Sequence, residues 1–109
     1  MNILGSLIAP RVGIKIIRSH LQKSLIQNIN DFSIYYSTLH NKIVIIINDV
    51  TYLYQSDSIK TIIKSLADKM LSKDCIFDAV KIDIEGEKIF ASIFYTQNNE
   101  KLSLKTEIK

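Results

Sequence analysis

The sequence is poor in the residues that build disulfides, metal sites and phosphate-binding loops. Its 109 residues include one cysteine, one proline, three glycines, two histidines and no tryptophan. Because Cys75 has no second cysteine to pair with, no internal disulfide calls for an oxidising compartment. The three glycines are too scattered for a glycine-rich phosphate loop. We therefore expect a reduced, cytoplasmic setting.

Catalytic and metal-binding patterns are also missing from the sequence. His20 and His40 have no neighbouring ligand at zinc-site spacing, so no metal or cofactor is predicted. Cys75 has no base suggested beside it and is interpreted as a small apolar residue rather than a nucleophile. Acidic residues flank a predicted turn near Gly86, where exposure to solvent disfavours an acid–base pair and a plain charged turn is favoured. No catalytic residue is predicted, and a non-enzymatic role is favoured.

The basic residues are concentrated near the start of the chain, although the net charge is only +3. Residues 1–30 contain Arg11, Lys15, Arg18 and Lys23 and no acid, whereas residues 31–109 balance ten lysines against eleven acids. These four side chains are candidates for contact with an anionic membrane or another anionic partner. Arg11, Lys15 and Arg18 also interrupt the first apolar stretch before it is long enough to span a bilayer, and no targeting signal is recognised.

Two segments have the apolar periodicity of amphipathic helices. In Asp57–Ser72 an apolar stripe recurs at helical spacing, and Asp57 or Ser58 is the expected N-cap. A second helix is predicted from Pro10, a favourable first position, to Asn28. Its apolar stripe contains Ile14, Ile17, Leu21 and Leu25. Residues 1–9 precede it as an apolar arm.

Six short runs have the composition or alternation of β-strands. Three lie between the helices, at Phe32–Thr38, Lys42–Ile47 and the less certain Val50–Tyr54, and three follow the second helix, at 79–85, Lys88–Thr96 and Lys101–Ile108. Turn residues such as Asn48-Asp49 and Glu85-Gly86 join them as hairpins. The sequence therefore predicts one α+β domain, residues 1–109, with the order α-βββ-α-βββ. We expect a two-layer α/β sandwich with both helices on one face of an antiparallel five- or six-stranded sheet.

Two predicted strands, Ile43–Ile47 and Ile89–Tyr95, are apolar on both faces, although helices cover only one face of a two-layer sheet. One interpretation is that these are central strands whose outer side chains tolerate exposure. The other is that a second copy or another protein covers them. The interface candidates are Tyr35, Val44, Ile46, Phe90 and Phe94. Strand tyrosines also suit nucleobase stacking, but only Lys42 is basic near them, so nucleic acid is disfavoured.

The order of elements resembles that of the roadblock scaffold proteins and, less closely, that of the small dimeric chaperones of type III secretion. No residue motif accompanies either resemblance, and no functional residue is transferred from either family. The function predicted from the sequence is a non-catalytic binding or assembly module, a homodimer or a subunit of a larger complex. The alternatives are a peripheral binder of membranes or anionic partners, and a small enzyme or nucleic-acid binder without a recognisable site.

Overall fold

Two helices and six strands appear in the predicted order in the computed structural model, which describes residues 10–25 and 31–108. The elements are α1 (Pro10–Leu25), β1 (Phe32–Ser37), β2 (Lys42–Ile47), β3 (Val50–Tyr54), α2 (Asp57–Met70), β4 (Ile76–Glu85), β5 (Lys88–Gln97) and β6 (Glu100–Ile108). The uncertain run Val50–Tyr54 is a strand, so the sheet has six strands. The proposed apolar arm, residues 1–9, and the predicted helix end at Asn28 lie outside the described residues.

The sheet is antiparallel throughout and has the strand order β3-β2-β1-β4-β5-β6. Each βββ segment is a meander of neighbouring strands, and the two meanders meet where β1 pairs with β4. That ladder runs from Phe32 opposite Ile84 to Ser37 opposite Ala79. The short connections within each meander are the reason for this topology, because strands joined by two to four residues must pair as antiparallel neighbours.

Both helices pack on the same face of the sheet and share one core with it, as predicted. Ile14, Ile17 and Leu21 of α1 are fully or almost fully buried. The predicted stripe of α2 is also buried through Ile59 and Leu66. Ile63 and Ala67 of α2 also belong to the core, and the strands contribute side chains from alternate positions: Phe32, Ile34, Tyr36, Ile43, Ile45, Ile47, Val80, Ile82, Ile84, Ile89, Ala91, Ile93 and Ile108. One contiguous cluster therefore holds the helical layer on the sheet.

Several local predictions were wrong by one or two residues. Ser56, and not Asp57 or Ser58, is the N-cap of α2, because its Oγ accepts a hydrogen bond from the Ile59 amide at 3.3 Å. The helix ends at Met70 rather than Ser72, since Leu71 already has an extended backbone. Between β4 and β5 the two-residue loop is Gly86-Glu87 and not Glu85-Gly86, because Glu85 is paired with Lys88.

Residues in the left-handed backbone region form the hairpin turns. Asn48-Asp49 has φ angles of 50° and 64°, and Asn98-Asn99 has φ angles of 52° and 64°. Asparagine and aspartate tolerate this region better than other side chains, and two such residues in succession match the twist of an antiparallel hairpin. Gly86, with φ of 62°, supplies the same freedom to the β4–β5 turn. The positions of these turns fix the strand registers described below.

The core packing leads to a prediction for Leu66, which lies on the buried side of α2 and is 3% exposed. Leu66→Ala removes buried methyl groups and leaves a cavity, so we expect a loss of about 2–5 kcal/mol in the free energy of unfolding. Lys64→Ala, at an exposed position of the same helix, is the matched control and should change stability by less than about 0.5 kcal/mol. Urea unfolding of both variants measures the difference. A loss below about 1 kcal/mol for Leu66→Ala would show that the stripe is not packed as described.

Candidate functional site

The face of the sheet opposite the helices, called here the outer face, contains all five interface candidates. Tyr35, Ile46 and Phe94 have exposed fractions of 37%, 38% and 41%. Val44 and Phe90 are half-buried. The alternation along each strand puts their neighbours in sequence, such as Ile34, Ile45 and Ile93, into the core. The pleat was therefore correctly interpreted from the sequence, although exposure does not by itself show a partner.

Four apolar side chains form a continuous group on the outer face of β1, β2 and β3. The strand registers place Tyr35 opposite Val44, and Val44 opposite Leu53. Ile46 lies two residues beyond Val44 on the same face. Leu53 is 71% exposed and was not among the predicted candidates. Its position between Tyr52 and Tyr54, which point toward the core, is the alternation signal that identifies it. We call Tyr35, Val44, Ile46 and Leu53 the β1–β3 patch.

A polar seam separates this patch from the apolar side chains of β5. The Ser33 hydroxyl donates a hydrogen bond to Asp83 Oδ1 at 2.7 Å, and Lys81 Nζ lies 3.8 Å from the same oxygen. Phe90 is directly opposite Asp83 in the sheet, on the far side of this seam from Ile46. The outer face therefore carries two separate apolar groups rather than the single patch expected from the sequence.

A cleft of about 640 Å³ opens beside Phe94, at the end of the sheet formed by the β1–β2 loop. Its lining residues are Ser37, Thr38, Leu39, Asp78, Ala79, Phe94, Tyr95, Lys101, Leu102 and Ser103. Its principal acid, Asp78, is already used by the fold: Oδ2 accepts from the Thr96 hydroxyl at 2.7 Å, and its carbonyl accepts from the Thr38 amide at 2.9 Å. The cleft has a mixed apolar and polar wall in which the carboxylate orients a strand hydroxyl.

The arginines of α1 hold the helix to the far end of the sheet. Arg11 donates from Nη2 to the Glu87 carbonyl at 2.8 Å and from Nη1 to the Ile108 carbonyl at 3.2 Å. Arg18 donates to the Gly86 carbonyl at 3.3 Å, and its guanidinium carbon lies 5.9 Å from the centre of the Phe32 ring. These contacts give two of the four predicted anion-binding residues a structural role.

Three of the four basic candidates border one small hollow next to the same turn. Arg11, Lys15 and Arg18 line a space of about 200 Å³ together with Gly86 and Glu87. The spacing i, i+4 and i+7 predicts this alignment, because such residues lie on one side of a helix. Lys23 is exposed and does not line the hollow. The hollow is a concentration of positive charge in which Lys15 is the exposed lysine.

Cys75 belongs to a turn held by hydrogen bonds between side chains. Ser72 donates its hydroxyl proton to Asp74 Oδ1 at 2.7 Å, and its Oγ lies 3.2 Å from Cys75 Sγ. Because that proton is used, the thiol is the donor to Ser72. The Ser72 hydroxyl, and then the Gln97 amide, lower the pKa of Asp74 below its ordinary 3.8. The hydrogen bonds to the ionised Asp74 carboxylate therefore stabilise the fold above pH 3.8, and this stabilisation is lost as the pH falls through the lowered pKa.

No three His, Cys, Asp or Glu side chains within residues 10–25 and 31–108 come together as a metal site. The absence of a metal and of a cofactor, expected from the sequence, stays a prediction. Over the same ranges, neither helix combines the length and apolar character needed to cross a membrane.

The contacts of Arg11 predict that this side chain stabilises the fold. Arg11→Ala removes two hydrogen bonds to backbone carbonyls, and we expect a loss of about 1–2 kcal/mol in the free energy of unfolding. Arg11→Lys keeps the charge but not the forked donor, so its loss should be intermediate. Lys15→Ala, one turn away on the same exposed side, is the control and should change little. Equal stability of Arg11→Ala and Lys15→Ala in urea unfolding would show that the hydrogen bonds of Arg11 to the Glu87 and Ile108 carbonyls do not stabilise the fold.

Comparisons with known proteins add no identity to this geometry. No protein family, curated protein or solved structure matches the chain. A functional conclusion therefore depends on the surfaces described above.

Proposed function

We propose that this chain is a non-catalytic assembly module that binds protein, in the first place a second copy of itself, through its outer face. The observation that carries the proposal is the exposure of the β1–β3 patch on a side of the sheet that neither helix covers. Contiguous apolar surface on one face of a protein often marks a contact site. A reducing, cytoplasmic setting belongs to the same proposal and is supported by the single cysteine.

The layout of the patch suits a protein partner better than a small molecule. Its four side chains are spread over three neighbouring strands of one sheet face, whereas small molecules bind in concave sites with convergent groups. Tyr35 combines a large apolar ring with a hydroxyl, a type of side chain enriched in the centre of protein interfaces. The polar seam at Ser33, Lys81 and Asp83 borders the patch and provides the hydrogen-bonding rim that interfaces usually have.

Ile46→Lys tests the proposal because it puts a charge within the patch. Ile16→Lys is the matched control: Ile16 is 40% exposed on α1, almost the same exposure as the 38% of Ile46, but on the helical side of the molecule. Sedimentation equilibrium of the wild type should show self-association. We expect Ile46→Lys to weaken it by tenfold or more, since a buried, unpaired charge costs more than about 1.4 kcal/mol, and Ile16→Lys to leave it unchanged.

Two results would count against this proposal in different ways. A monomeric wild type would overturn self-association and leave only a different protein as the partner of the patch. Self-association that Ile46→Lys and Ile16→Lys affect equally would show that the outer face is not the contact. Circular dichroism and urea unfolding of both variants establish that each remains folded.

A second candidate function, binding to an anionic surface, is favoured by the hollow lined by Arg11, Lys15 and Arg18. The hydrogen bonds of the two arginines to carbonyl groups leave their positive charge in place, so the three cations still act together on an anion. Each basic side chain near an anionic membrane contributes about 1 kcal/mol. This candidate is weaker than the first because the same arginines already have a role in holding α1.

Co-sedimentation with phosphatidylserine vesicles tests this second candidate. Binding should be measurable at low salt and should fall steeply as salt is added, because exposed charges are screened within about 8–10 Å at physiological ionic strength. Lys15→Glu should reduce binding, whereas Lys64→Glu on α2 makes the same charge change away from the hollow and should have a smaller effect. Absence of wild-type binding at low salt would show that the basic residues of the hollow do not bind an anionic surface and are only a solvated helix face.

A further inference from the structure

Strand β6 forms one edge of the sheet and has nine residues, Glu100–Ile108. It pairs with β5 on one side, and no strand within residues 31–108 pairs with its other side. Leu102 and Leu104 point to the helical side of the sheet, yet they are 37% and 36% exposed because the helices do not extend over them. A long edge with exposed leucines is a template for pairing with another strand.

The hairpin geometry determines which residues of β6 present hydrogen-bonding groups to this open edge. Gln97 and Glu100 flank the two-residue turn, and residues in that position exchange hydrogen bonds with each other. Hydrogen-bonded and non-hydrogen-bonded pairs then alternate along the ladder. The even-numbered residues of β6 are therefore bonded to β5, and the N–H and C=O groups of Lys101, Ser103, Lys105 and Glu107 point outward.

We propose that two copies of this chain pair antiparallel through β6, about a two-fold axis that passes between their Leu104 residues. In this register Lys101 lies opposite the partner subunit's Glu107, and Ser103 lies opposite the partner subunit's Lys105. All four outward-pointing residues are then hydrogen-bonded to one another across the axis. The two six-stranded sheets become one sheet of twelve strands, with all helices on the same side. This inference rests on the proposed function, because it specifies one contact of an assembly module.

The charge pattern of β6 selects this register over its neighbours. Lys101 and Glu107 are equally distant from Leu104, so the two-fold axis brings both ion pairs into register at once. An axis at Ser103 would put Lys101 opposite the partner's Lys105, and an axis at Lys105 would put two copies of Lys105 opposite each other. Like charges directly opposite destabilise a ladder. A shift by an odd number of residues in the pairing would put the leucines on the wrong face.

The proposed pairing also covers the exposed leucines. Leu104 meets the partner subunit's Leu104 as a non-hydrogen-bonded pair, the arrangement in which facing side chains are closest. Leu102 lies opposite the partner subunit's Thr106 on the same side of the sheet. Charged residues on an edge strand usually prevent pairing. On β6 their spacing favours the register about Leu104, which pairs all nine residues of the strand with no like charges opposite each other, and the resulting dimer is closed because it uses both β6 edges.

Charge reversal at the two ends of β6 tests the register. Lys101→Glu or Glu107→Lys replaces two attractive pairs by two repulsive ones, and we expect each to raise the dimer dissociation constant about tenfold. The double variant, and an equimolar mixture of the two single variants, should restore wild-type affinity because opposite charges face each other again. Lys105→Glu makes the same change of net charge on the same strand, opposite serine, and is the matched control with little expected effect.

Sedimentation equilibrium of these variants separates the failure of this inference from the failure of the proposed function. Self-association that Ile46→Lys weakens but Lys101→Glu and Glu107→Lys do not would overturn the β6 pairing and leave the proposed function standing. Weakening by Lys101→Glu but not by Ile46→Lys would leave β6 as the contact between copies and overturn the outer face as that contact. Weakening by Lys105→Glu in place of Lys101→Glu would mean that a different register is used. A monomeric wild type would overturn both.

Discussion

The pairing of β1 with β4 is the constraint on which the rest of the structure depends. It is the ladder that joins the two meanders, and it links residues about fifty positions apart along the chain. Side chains reinforce it at two points, where Ser33 donates to Asp83 and the Thr38 amide and hydroxyl donate to the Asp78 carbonyl. Because both meanders extend outward from this pair, β3 and β6 become the edges. The exposed surfaces of the molecule follow from that placement.

The two exposed surfaces differ in the kind of recognition that each allows. The β1–β3 patch offers side chains alone, so its specificity depends on shape and on the polar seam that borders it. The open edge of β6 offers backbone groups at fixed spacing, so its specificity depends on register and charge. The proposed edge contact and the proposed face contact use different groups of the molecule, so neither excludes the other.

Much of this fold is predictable from local patterns, because apolar alternation and helical periodicity report which side of each element is buried. The stripe at Ile59 and Leu66, and the two faces of β5, follow directly from that principle. The roles of Arg11 and Arg18 do not, since their acceptors are carbonyl groups between 68 and 97 residues away. The polar seam that divides the outer face, and the exposure of Leu104, depend on strand order, which local patterns do not determine.

The hydrogen bonds between α1 and the second meander have a consequence for the order in which the protein is made. Arg11 and Arg18 belong to the first described helix, yet their acceptors are the carbonyls of Gly86, Glu87 and Ile108. On the ribosome α1 therefore emerges before its polar partners in the second meander have been synthesised. The arginine contacts that fix this helix to the sheet can therefore form only after most of the chain has been made.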